Sequence, residues 1–120
     1  MERKPAQAFK DLVVWQKAHQ LVLSIYRITR NFPTDEMYGL TSQVRRSSSS
    51  VAANIAEAFK KRSAPDKLRI LNIAQGSLSE TEYHILLASD LDYVEVAFIQ
   101  ECIEEVSRLL EAYMKAIRRK

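Results

Sequence analysis

Apolar residues along this chain recur at steps of three and four, the spacing that lines one face of an α-helix. Val14, Ala18, Leu21, Ile25, Ile28 and Phe32 form one such stripe, and Leu12, Trp15, His19, Val22, Tyr26 and Thr29 form a second beside it. Together they cover more than the ~100° of surface that faces a single core. The surplus predicts a second buried contact, with another protomer, through Phe9, Leu12, Trp15, Val22 and Tyr26. Asp11 reads as the N-cap of this helix, which ends near Arg30 because a residue preceding a proline is pushed out of the helical region, as at Phe32-Pro33.

Thr34, followed by Asp35 and Glu36, predicts the start of a second helix running to Arg62, with Met37, Leu40, Val44, Val51, Ile55 and Phe59 on its apolar face. The run Ser47-Ser48-Ser49-Ser50 within it has the composition of a linker. Helical periodicity on both sides, and no Gly or Pro, favour reading it as helix with small side chains that let a neighbour approach. Ser63 before Pro65 and Asp66 is a strong start for a third helix, which carries Leu71, Ala74, Leu78, Thr81, Ile85 and Ala88. Gly76 and Ser77 inside it predict close packing at that point. Ser89-Asp90-Leu91-Asp92 reads as a turn, and a fourth helix from Val94 to Ile117 has Ile99, Ile103, Val106, Leu110, Tyr113 and Ile117 as its seam.

Four helices of similar length joined by short turns predict an all-α, antiparallel up-and-down four-helix bundle over residues 9–120, preceded by a flexible basic arm over 1–8. Two glycines and three prolines leave little turn punctuation for a sheet protein. The single Cys102 makes no internal disulfide, no apolar run approaches the ~18 residues of a membrane span, and the start does not read as a signal peptide. A cytoplasmic protein without membrane contact is expected.

The net charge is only +3, but it is unevenly spread: residues 1–62 carry 11 Lys/Arg and 5 Asp/Glu, residues 63–120 carry 7 and 10. The basic residues cluster at Arg3-Lys4 with Lys10, at Arg45-Arg46, at Lys60-Lys61-Arg62 and at Arg118-Arg119-Lys120. In an up-and-down bundle the arm, the Lys60 cluster and the tail gather at one pole. A cyclic oligomer turns that pole into a basic ring suited to polyvalent phosphate contact. The competing reading is that terminal basic residues only solubilise the ends.

Catalytic chemistry is not evident. No phosphate-cradling Gly-rich loop or H-E-x-x-H occurs. Glu80 and His84 stand at i,i+4, but the Glu-x-x-His sets of di-iron bundles are absent, so no metal or cofactor is expected. Acids at Glu101, Glu104 and Glu105 should raise the Cys102 thiol pKa, which suits an inert cysteine. The second helix does carry an unusual polar line: Gln43, Arg46, Ser50, Asn54, Glu57 and Lys61. It is either a solvated face or a buried network with Ser77, Glu80 and Tyr83 of the third helix. Serine and asparagine are mediocre helix formers, which favours the network.

Several ordered motifs carry a family resemblance: Phe9-x-x-Leu12-x-x-Trp15-Gln16-x-Ala18, Phe32-Pro33-x-x-Glu36-x-Tyr38-Gly39-Leu40, Gln43-Val44-Arg45-Arg46, Asn54-Ile55-Ala56-Glu57, and Ile73-Ala74-x-Gly76-Ser77-Leu78-x-Glu80-x-Glu82. Over about residues 9–115 the chain resembles the 23S rRNA intervening-sequence, or S23-type, four-helix-bundle proteins of bacteria. The resemblance implies a homopentameric barrel. It also implies kinship with accessory proteins of diversity-generating retroelements, which bind nucleic acid and a reverse transcriptase. Gln43, Arg45, Arg46, Asn54, Glu57, Glu80 and Glu82 fall on the recurrent polar positions. Ala58 replaces the glycine usual after Asn-Ile-Ala-Glu, which predicts a rigid extra turn of the second helix, and the serine run is more polar than the family pattern.

The expected function is a non-enzymatic homo-oligomer that binds RNA or DNA electrostatically, as an accessory to a larger nucleic-acid enzyme. The alternative is a protein–protein scaffold docking a partner through apolar helix surfaces.

Overall fold

A computed structural model describes residues 5–119; Arg3, Lys4 and Lys120 of the basic clusters lie outside the described residues. The chain folds into four helices, α1 (Val13–Thr29), α2 (Leu40–Lys60), α3 (Ala64–Asp90) and α4 (Ala97–Arg118), with short 3-10 turns at Phe9–Asp11 and Thr34–Glu36. There is no strand among the described residues. Among them, too, no helix is long and apolar enough to cross a membrane.

α1 packs on α2 and α4, and α3 packs on α2 and α4, so sequence neighbours are spatial neighbours and the chain closes on itself. Cross-helix pairs give the directions. Arg45 meets Thr29, Arg46 meets Glu80 while Ser50 meets Ser77, and Gln75 meets Glu111 while Gln100 meets Glu82. Partner numbers fall on one helix as they rise on the next, the arrangement of antiparallel passes in a four-helix bundle. Leu21, Ile25, Val44, Val51, Ile55, Leu71, Ile85, Ile99, Val106 and Leu110 are fully buried along the axis. Each such aliphatic side chain contributes roughly 1.5–3 kcal/mol relative to leaving it in water.

The helix ends refine the expectations from sequence. Ser63 caps α3, its Oγ accepting the Asp66 N–H at 3.2 Å, with Pro65 in the first turn. α3 ends in a Schellman arrangement: Tyr93 N–H donates to Ala88 O and Asp92 N–H to Ser89 O, both at 2.9 Å. Asp92 takes the left-handed conformation this requires, with φ 62°. Asp11 does not cap α1. Its carboxylate turns back to accept the N–H groups of Gln7 and Ala8 at 3.0 and 3.1 Å, closing the preceding 3-10 turn, and α1 begins two residues later.

The second helix also starts later than Thr34. Residues 34–36 form a 3-10 turn, and Glu36 reaches forward to accept the Leu40 N–H at 3.1 Å. A Cβ on Gly39 would stand 2.8 Å from that same Glu36 oxygen, so the glycine leaves room for the cap. At the other end α2 stops at Lys60, only two residues past the fully buried Ala58, not a full turn. Lys67 of α3 terminates it by donating to the Ala58 and Phe59 carbonyls at 3.2 and 2.9 Å.

Candidate nucleic-acid interface

The serine run is helical, and its hydroxyls explain how. Ser48 and Ser49 donate back to the Arg45 carbonyl at 3.2 and 2.8 Å, the usual way a mid-helix serine is satisfied. Ser47 and Ser50 instead reach α3. Ser50 shares a 2.9 Å hydrogen bond with Ser77, and Asn54 donates to both the carbonyl and the hydroxyl of Ser50. Thr81 donates to Ser47 at 2.9 Å, and Ser47 lies 3.2 Å from His84 Nδ1. Above it Arg46 binds Gln43 and reaches Glu80 at 3.3 Å, and Glu80 in turn faces His84 Nε2 at 3.8 Å.

These contacts form one polar seam between α2 and α3. Of the residues singled out in the sequence, it joins Gln43, Arg46, Ser50, Asn54 and Glu80, with Ser77. It omits Glu57, which is exposed, and Tyr83, which is 58% exposed. Ser47, Thr81 and His84 were missed as members. Ser47 and Thr81 are exposed to 1% or less, inside apolar stripes where the 3.6-residue period predicts plain core. No buried side-chain polar atom among the described residues lacks a partner.

Burial is the main influence on His84 and lowers its pKa; Glu80 pulls it up, and Arg46 lowers it further. Glu80 and His84 have no third ligand beside them among the described residues. For Cys102, burial raises the thiol pKa most, with Glu105 and Glu101 adding to it and Lys17 opposing.

The arginine pair divides. Arg45 is turned onto α1, donating to Thr29 Oγ1 at 2.8 Å with its guanidinium 4.6 Å from the Tyr26 ring centre. Arg46 belongs to the seam.

The antiparallel passes bring the start of α1, the end of α2 and the end of α4 to one pole. Pro5, Ala6 and residues 11–14 line a cleft with Leu109, Ala112 and Tyr113 of α4, and the Phe9–Asp11 turn also touches α2. Lys10, Lys60 and Arg62 are exposed there and Lys61 is half-buried; none of the four takes part in an ion pair among the described residues. Arg118 and Arg119 are exposed at the same pole, Arg118 pairing with Glu111 at 3.6 Å. Asp35, Asp90, Asp92 and Glu95 lie at the opposite end, in or beside the turns there, together with Arg27 and Arg30 at the end of α1.

The apolar positions assigned to a second protomer are largely used within this one. Val22 is only 8% exposed and belongs to the protomer's own core. Leu12 and Trp15 pack against that core, and Trp15 is sandwiched by Phe9 at 5.0 Å, edge to face, and by His19, stacked at 4.9 Å. Tyr26 remains 41% exposed. The close approach expected at Gly76 and Ser77 is made by Ser77, 2.9 Å from Ser50 of α2, and not at Gly76, where a Cβ would meet nothing within 4 Å. The most exposed large apolar side chains among the described residues lie elsewhere, at Met37 and Tyr38 before α2, at Tyr83 and Leu86 on α3, and at Phe98 on α4, while α1 itself exposes Val13 and Leu23.

No curated protein matches the chain. The crystal structure of a protein of unknown function from the S23 ribosomal protein family of Bacteroides thetaiotaomicron is similar, with a TM-score of 0.79 and 28% sequence identity. The match covers 86% of this chain and 96% of that one. The model of the 23S rRNA-intervening sequence protein family matches residues 10–114, spanning all four helices, and by that match the chain belongs to this family.

Proposed function

We propose that this protein is a non-enzymatic, homo-oligomeric accessory protein that binds RNA or DNA through its basic pole and serves a larger nucleic-acid enzyme in the cytoplasm. The observation that carries the reading is the convergence of Lys10, Lys60, Lys61, Arg62, Arg118 and Arg119, distant in sequence, at one end of the bundle. Exposed lysines without protein counter-charges keep their full attraction for phosphate, and each phosphate they neutralise releases condensed counterions. A ring of copies multiplies the patch, as the pentamer implied by the family resemblance would.

The test is affinity for a short structured RNA and for duplex DNA between about 50 and 200 mM salt, with solution mass followed by light scattering. Log affinity is expected to fall steeply with log salt, with a slope of roughly −0.9 per phosphate contacted on duplex DNA. Replacing Lys60, Lys61 and Arg62 together by Gln should flatten that slope by about 2–3. Affinity insensitive to salt would overturn the reading.

The exposed Tyr83, Leu86 and Phe98 favour a second reading, a scaffold that docks a protein partner without nucleic acid. A particle whose mass ignores RNA at both salt concentrations would favour it. Trp15 and Val22 cannot probe that scaffold, because charging them attacks the protomer's own core; Leu86→Glu or Phe98→Glu can.

A further inference from the structure

At the end of the molecule away from the basic pole, the last turn of α1 meets the segment leading into α2. Tyr38 there is 93% exposed, Met37 53% and Tyr26 41%, and the three line one open cleft with Arg45 and Arg46. Tyr38 contributes nothing to the core. Its ring is held out on the 3-residue link between the Thr34–Glu36 turn and Leu40, and that link is fixed by the Glu36 cap.

Arg45 is held in place beside it. Its Nε donates to Thr29 Oγ1 at 2.8 Å and its Nη2 to the Tyr26 carbonyl at 3.4 Å, while Thr29 Oγ1 is itself anchored on the Ile25 carbonyl at 2.7 Å. The Nη1 amino group makes no hydrogen bond among the described residues. Arg27 and Arg30 add positive charge in the last turn of α1 and at its C-cap. Against them stand Asp35 and Glu36 and, from the α3–α4 turn that Tyr93 joins to Glu36, Asp90, Asp92 and Glu95; both Glu36 oxygens already accept hydrogen bonds, from Leu40 N–H and the Tyr93 hydroxyl.

We propose that this cleft is a stacking site for an unpaired base of single-stranded nucleic acid, with Tyr38 offering the ring and Arg45 the adjoining phosphate contact. An exposed aromatic face beside preorganised arginine is the combination that single-strand binders use. Stacking supplies affinity without reading sequence, and the cation holds the backbone. A duplex keeps its bases stacked internally and gains nothing from the ring. The inference rests on the reading that the protein binds nucleic acid, and adds a second, distant site that selects for single strands.

The experiment titrates the full chain into single-stranded RNA and single-stranded DNA, each carrying one 2-aminopurine, and into the corresponding duplexes. Wild-type protein should quench the 2-aminopurine in single strands only, and Tyr38→Phe should do the same. Tyr38→Ala should abolish the quenching and weaken single-strand binding about 5- to 100-fold while leaving duplex binding unchanged. Quenching of the RNA strand alone, or of both strands, supports the site and names its source. Single-strand binding by Tyr38→Ala equal to wild type would overturn the stacking site. If neutralising the Lys60 cluster still lowered affinity, that result would leave the basic pole standing. Wild-type protein that bound neither strand nor duplex would overturn both.

Discussion

Tyr93 donates its phenolic hydrogen to Glu36 Oε2 at 3.0 Å, joining the α3–α4 turn to the entry of α2 across 57 residues of chain. The other Glu36 oxygen caps α2 through Leu40 N–H, so one carboxylate fixes two turns. Phe32 packs on the Tyr93 ring at 5.5 Å, and with Leu40 and Ala88 makes a small second core at this end. Tyr93→Phe should lower the melting temperature in the wild-type background and have no such effect in Glu36→Ala, since the partner is already gone; thermal denaturation of the four-member cycle reads this directly. The same hydrogen bond is the chief cause raising the Tyr93 pKa. Its stabilising contribution is therefore present below about pH 10 and fades as pH rises beyond it.

Gly76 sits mid-helix in α3 with open space where a Cβ would go. Gly76→Ala should therefore stabilise the protein by about 0.5–1 kcal/mol, raising the melting temperature by a few degrees. Gly39→Ala should do the reverse, because its Cβ crowds the capping oxygen of Glu36. A lower melting temperature for Gly76→Ala at concentrations where the protein is oligomeric would mean that a second copy approaches α3 at this point.

Ser47 is the hub of the seam, touching Thr81 and His84 and its own helix at Val44 O. Ser47→Ala leaves His84 Nδ1 without its partner in a half-dry site, at a cost of about 1–3 kcal/mol in urea denaturation. Thr81→Val keeps the shape and leaves Ser47 bonded to Val44 and His84, so it should cost less.

His84 makes stability depend on pH. Its pKa is lowered on folding, mainly by burial, so the unfolded chain takes up a proton more readily than the native one. The sign follows: the contribution is intact above the unfolded value of about 6.5 and is lost as pH falls toward the native pKa. Stability should decline as pH falls through about 6.5, and His84→Gln should flatten that part of the profile. An unchanged slope in His84→Gln would assign the decline to other groups.

Local spacing in the sequence was enough to define the helices. Steps of three and four, Pro33, and the Ser63-x-Pro65-Asp66 start mark four of them, because periodicity and capping act within a turn or two of chain. It also implied that Lys10, Lys60–Arg62 and the tail share a pole, since four passes with short turns return the chain to one end. Only the tertiary structure decided how far each helix is turned about its axis. That rotation put Val22 into its own core instead of a neighbour's, left Gly76 open, and pointed Ser47 and Thr81 at each other and at His84. It also set Asp11 to close the turn before it and brought Tyr93 to Glu36. A stripe fixes which side chains share a face; which face each meets depends on packing all four helices at once, and no segment carries that information alone.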